Sequence, residues 1–212
     1  MEHRSITGIR EEELVQMLLS DPLGRMDLLG IKGIPSAALD YQGVLLNSVP
    51  GNFKGDIDIL LCTPDRPDSA IAIEVKKIKV GASAFQSGTP NRLEGFEKGV
   101  DQANRLACVG FSQVYFYVFV TVDSRERNAG QVGYKGLTQE LKDKIENKIS
   151  TSGLDSRIGL VTFDFVQSMD YPPFKVGMGT TRLRGNLATK VAQSADLTAW
   201  EAQVIMGHTP TS

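Results

Sequence analysis

Histidine is almost missing from this chain: two in 212 residues, His3 and His208, both near the ends of the sequence. A histidine general base or a His-rich metal site therefore has nothing to build on inside the core. Cysteine is equally scarce. Cys62 and Cys108 stand far apart with no Cys-x-x-Cys, which removes zinc-ribbon and dithiol chemistry and leaves each to pack as a small apolar residue. The glycines never form the Gly-x-x-x-x-Gly-Lys of a nucleotide-binding loop. No stretch of 18 apolar residues and no secretory signal is present, so the expectation is a soluble, cytoplasmic protein with no membrane partner. A basic excess is lacking too. The net charge is −2 and the pI about 5.8, which argues against a high-affinity, sequence-blind nucleic-acid binder. It does not argue against an enzyme with a locally positive groove and an acidic metal site.

What is present is a continuous apolar budget of 41%, with no internal repeat, low-complexity tract or long linker. That predicts one domain over residues 1–212, with a core over about 9–165 and an extension over about 166–212.

Residues 55–76 carry the chemistry. Gly55-Asp56-Ile57-Asp58-Ile59-Leu60-Leu61 reads as a strand, and Ala70-Ile71-Ala72-Ile73-Glu74-Val75-Lys76 as the next. Side chains alternate along a strand, so Asp56 and Asp58 share one face, and Glu74 and Lys76 share the face opposite Ile71, Ile73 and Val75. The connection Thr63-Pro64-Asp65-Arg66-Pro67-Asp68-Ser69 is rich in turn formers and too short for a helix, which predicts an antiparallel hairpin. Pairing then sets Asp58 alongside Glu74. Two close carboxylates repel and one pKa rises unless a cation intervenes. A hard, oxygen-seeking ion such as Mg2+ resolves the repulsion and keeps positions open for water and phosphate. Lys76 beside them would orient or deprotonate the attacking water and offset charge in the transition state.

Asp58, Glu74 and Lys76 resemble the signature of the PD-(D/E)XK nuclease superfamily. The run Gly55-Asp56-Ile57-Asp58 resembles the Gly-Glu-Ile-Asp strand of its small, Holliday-junction-resolvase-like members, with Ile57 in place of proline. The resemblance covers roughly residues 9–122 and implies a restriction-endonuclease-like α/β/α sandwich around a mixed sheet. It also implies a Mg2+-dependent endonuclease, with Mn2+ as a substitute, that cuts DNA (RNA being the other candidate) to leave 5′-phosphates. In this reading Asp58 and Glu74 hold the metal and Lys76 tunes the water. Two flanking helices add to the site. Glu11, Leu14, Val15 and Leu18 fall on one helical face, and Glu11 resembles the first-helix glutamate that reaches the metal in archaeal resolvases. Glu12 and Glu13 are explained by the helix dipole alone, although Glu12 replaces Glu11 if the helix is rotated. Gln102, at the edge of the amphipathic stripe formed by Leu93, Phe96, Val100, Ala103, Leu106 and Ala107, resembles the helix glutamine that many members aim at the site. Leu106 stands four residues later where the exonuclease-like branch has tyrosine, which speaks against a processive exonuclease.

The rest follows an α/β order. Tyr41–Leu46 reads as a first strand, and Val114–Val122 as a central strand buried on both faces. The latter should pair parallel to the Glu-x-Lys strand through a right-handed crossover. Leu137, Leu141, Ile145 and Ile149 make a helix, Ile158–Phe165 another strand, and Leu187–Met206 a C-terminal helix bearing the single Trp200. Residues Asp170–Gly179 read as an ordered loop. Ser83, Gln86, Arg92, Lys77 and Lys79 are candidates for contact with a phosphate backbone, each with an ordinary exposed-residue reading beside it. Further positive charge sits at Arg125, Arg127, Lys135, Lys142, Lys144 and Lys148. The settings that fit are phage defence, mobile-element processing, and recombination or repair, with a homodimer or partner subunit assisting substrate capture. The alternative is a nuclease-fold subunit that binds nucleic acid or protein without cutting, or that cuts only when a partner activates it.

Overall fold

The computed structural model describes residues 5–31, 34–35, 38–51, 53–81, 96–125, 137–167 and 178–208. Among these residues six strands form one mixed sheet in chain order: β1 (Leu39–Leu45), β2 (Asp56–Thr63), β3 (Arg66–Val80), β4 (Gln113–Asp123), β5 (Gly159–Gln167) and β6 (Met178–Gly185). β1, β2 and β3 are an antiparallel meander, β3, β4 and β5 run parallel, and β6 returns antiparallel to β5. The helices are α1 (Glu11–Ser20), α2 (Pro22–Leu29), α3 (Phe96–Val109), α4 (Gln139–Ser150) and α5 (Ala195–His208).

Both faces of the sheet are covered, and the alternation of apolar residues decides by what. Ile59, Ile71, Ile73, Val75, Tyr115, Tyr117, Phe119, Phe163 and Phe165 point to the side where α1 and α2 pack through Leu14, Val15, Leu18 and Leu28. Leu60, Ala72, Ile78, Phe116, Val118 and Val120 point to the other side and meet Val100, Ala103 and Leu106 of α3, Ile145 of α4 and Trp200 of α5. β4 is buried on both faces along nearly its whole length, as its unbroken apolar run requires.

Several expectations need correction. The hairpin turn is only Pro64-Asp65, because Thr63 already pairs with Arg66, and the polar residues that follow belong to β3. A second N-terminal helix follows the first. Asp21 caps it, accepting from Gly24 N at 2.7 Å, and Pro22 opens it, a combination that ends α1 and starts α2 within two residues. Met178 and Gly179, read as loop, begin β6, whose ladder with β5 supplies the order that its own sequence only weakly encodes. Ser83, Gln86, Arg127 and Lys135, the first residues of the expected second helix from Arg92 on, and Asp170–Gly177 lie outside the described residues. The C-terminal helix starts at Ala195, later than its composition suggested. Before it, Asn186, Thr189 and Val191 give their amides to Leu160, Arg157 and Ser112 and run extended along the strand ends. Trp200 packs edge-on to Phe111 at 6.2 Å, so the C-terminal segment belongs to the main core.

Cys62 is buried but not simply apolar. It lies beside Glu201 of α5, a fully buried acid whose Oε2 accepts from Gln193 Nε2 at 2.9 Å. Burial pushes the Glu201 carboxyl up to about 7, with Gln193 and Cys62 pulling the other way.

Candidate functional site

β2 and β3 part company at Ile59 and Ile73, the last pair of their ladder at that end, while β3 runs on to Val80. Beyond that point the amides of Val75 and Lys77 face the vacated side and need acceptors. Two carboxylates provide them. Asp58 Oδ2 accepts from Val75 N at 2.7 Å, and Glu11 Oε2 accepts from Lys77 N. The first turn of α1 thus docks on β3 through Glu11, and the exposed Glu12 has no part in this. Helix rotation, left open by the sequence, selects Glu11.

Glu74 and Lys76 project from the α3 face of β3. Glu74 is 2% exposed, and its Oε2 has no hydrogen-bond partner among the described residues. Burial first, then the neighbouring Asp58, push its carboxyl up to about 9, while Lys76 draws it down. Burial likewise pushes Asp58 up to about 7, against the Val75 amide, with Glu11 and Asp56 adding to the rise. Asp58, Glu74, Glu11, Asp56 and Lys76 are therefore within electrostatic reach of one another. Lys76 Nζ lies 3.2 Å from Glu11 Oε1, and the two side chains are each 24% exposed.

Lys77 turns away from any groove. Its ammonium donates to the carbonyls of Ile6, Thr7 and Ile9, anchoring the segment before α1, so it is not available to a phosphate. Lys79 is exposed. Arg125 is paired with Asp123 at 2.8 Å, Lys144 with Glu140 at 2.9 Å and Lys148 with Glu97 at 2.6 Å.

α3 lies close over this end of β3, and Gly99 is what allows it. A Cβ at that position would fall 2.9 Å from Cδ of Lys76 and 3.0 Å from the Phe116 ring. Gln102, one helical turn on, is half-buried and lines a cleft with Asp56; no hydrogen bond ties it to Asp58, Glu74 or Lys76. Composition and periodicity missed the roles of Gly99 and Lys77. A glycine inside a strongly amphipathic helix was the available signal for the first.

A buried and a half-buried carboxylate beside an ammonium fit a divalent cation better than they fit an empty core. The unpartnered oxygen of Glu74 is the specific indication, since a buried acceptor left alone costs about 1–3 kcal/mol. Among the described residues no three His, Cys, Asp or Glu side chains form a cage by themselves. A hexacoordinate Mg2+ asks for only one or two carboxylates, with water and phosphate filling the remainder.

No protein-family model matches the chain, and no curated protein matches it. Among solved structures it is similar to a protein of unknown function from Silicibacter pomeroyi, SPO1766, at 11% identity and a TM-score of 0.36, over 81% of this chain and 74% of that one.

Proposed function

We propose that the chain is a metal-dependent nuclease of the PD-(D/E)XK type, hydrolysing phosphodiester bonds of DNA to leave 5′-phosphates. The observation that carries this reading is the Glu74 carboxylate, buried with one oxygen unanswered, beside the half-buried Asp58 and on the same strand face as Lys76. The element order of helices, a three-stranded meander, a helix and a parallel strand agrees with a restriction-endonuclease-like core and supports it.

Asp58 and Glu74 would hold Mg2+ or Mn2+, which supplies Lewis-acid polarisation of a phosphoryl oxygen and a bound water of lowered pKa. Lys76 would sit against the attacking water and the charge developing on phosphorus. Glu11 keeps the Lys76 ammonium in place through their ion pair, and enters the metal's surroundings only by releasing it. Gln102 would assist from the cleft side of α3.

The test is incubation of the purified chain with plasmid, linear duplex, branched DNA and RNA, in Mg2+, Mn2+ or EDTA. Metal-dependent cleavage with ligatable 5′-phosphate ends is expected from the parent. Lys76→Ala should lose it while keeping the parental circular dichroism, which separates the activity from a contaminant. Metal-independent binding with no cleavage of any substrate would overturn the reading in favour of a non-cleaving module.

A further inference from the structure

Next to the carboxylate pair a cleft of about 290 Å³ opens between the start of β2 and α3. Three cations line it: Lys54 on the β2 side, and Lys98 and Arg105 on α3. Lys98, Gln102 and Arg105 are spaced i, i+4, i+7 and form one stripe along the helix, about 10 Å from end to end at 1.5 Å per residue. Among the described residues none of these three cations has an ion-pair partner, although Asp56 and Asp101 line the same cleft. In a chain of net charge −2 this leaves an exposed local surplus of positive charge. The cleft adjoins the candidate site through Asp56, although Asp58, Glu74 and Lys76 do not line it. Asp56 belongs to its wall, and it also raises the carboxyls of both Asp58 and Glu74. Lys98 adjoins Gly99, the residue in contact range of Lys76.

Cations with no ion-pair partner among the described residues, a glutamine between two of them and Asp56 leading on toward Asp58 and Glu74, are matched by a run of phosphates leading to a metal-held one. We propose that this cleft seats the polynucleotide backbone on one side of the scissile phosphate, with Lys98 and Arg105 as its phosphate contacts and Lys54 on the opposite wall. The proposal rests on the nuclease reading for its position relative to the cut, but binding is measurable without cleavage. Gly55 lets the wall form: its φ of +115° admits the turn that brings Lys54 to the rim just before Asp56 enters β2.

The experiment measures binding of a fluorescent DNA duplex in EDTA over a range of salt, for the parent and for Lys98→Ala/Arg105→Ala. The double variant should bind about tenfold or more weakly, and its slope of log affinity against log salt should shrink by about 2, one for each lost phosphate contact. With Mg2+ its KM should rise while kcat at saturating DNA stays parental. Lys144→Ala/Lys190→Ala, which alters charge outside the cleft, should bind as the parent does. Unchanged affinity and slope in the cleft variant would overturn the proposal, as would a loss of kcat with KM unchanged. A parent that binds through Lys98 and Arg105 but never cleaves would retain the cleft and sink the nuclease reading. Cleavage with parental KM and slope in the variant would do the reverse. The same dependence seen with RNA and not DNA retains the cleft and changes the polymer.

Discussion

Glu74→Gln is expected to reduce metal-dependent cleavage by roughly 10²–10³-fold or more, while stabilising the metal-free protein at neutral and alkaline pH. Both effects have one source. In the folded chain burial and Asp58 push the Glu74 carboxyl from its ordinary 4.5 up to about 9. Between those values the folded state binds a proton that the unfolded state has released, so stability falls as pH rises through this window. Asp58 contributes with the same sign between 3.8 and about 7. The neutral, isosteric glutamine removes the larger part of that decline. In EDTA, calorimetric melting temperature should therefore fall less steeply with pH in the variant than in the parent. Added Mg2+ should raise the melting temperature of the parent at mildly alkaline pH and leave the variant's nearly unmoved, since ligand binding to the folded state alone is what stabilises it. Each kcal/mol gained corresponds to about 2–4 °C in a chain of this size. A variant that melts lower at every pH, or that cleaves at the parental rate, contradicts the account.

Gly99→Val should be nearly as damaging to activity, by a different route. The added Cβ would meet Lys76 Cδ at 2.9 Å and the Phe116 ring at 3.0 and 3.1 Å. The ring is held edge-on by Phe96 at 5.4 Å, so the lysine stem is the part able to yield. Displacement of its ammonium by about an ångström is expected to reduce kcat on the order of 10²-fold. Overpacking should also cost about 1–3 kcal/mol in stability. Gly99→Ala should show the same two effects in smaller measure. Steady-state kinetics and thermal melts on the pair of variants test this, and parental kcat in Gly99→Val would detach the close helix approach from the chemistry.

How much of this was legible beforehand depended on whether a feature is local or tertiary. Period-two alternation put Glu74 and Lys76 on one face of β3, opposite Ile71, Ile73 and Val75. It failed at the start of β2, where Ile57 and Ile59, expected on one face, join the cores on opposite sides of the sheet. The helical stripe of Leu14, Val15 and Leu18 put Glu11 in line with the buried side, although only the structure selects it over Glu12. Pro64-Asp65 was visible as turn chemistry, but a two-residue hairpin leaves Arg66 to Ser69 in the strand despite their polarity. The cationic cleft was not legible, because Lys54 and Lys98 come from elements that meet only when α3 packs on the sheet. Glu201 escaped for a related reason. Nothing in the local pattern of α5 marks a carboxyl that ends fully buried against Cys62.

The frayed margin between β2 and β3 dictates which inactive variants are informative. Because the Asp58 side chain substitutes for a missing neighbour strand at Val75, truncating it to alanine would leave a main-chain donor without an acceptor, a loss of about 1–3 kcal/mol unrelated to chemistry. Asparagine retains an oxygen for that amide and discards only the charge. Carboxamide replacements are accordingly the ones that separate scaffold from catalyst in this protein.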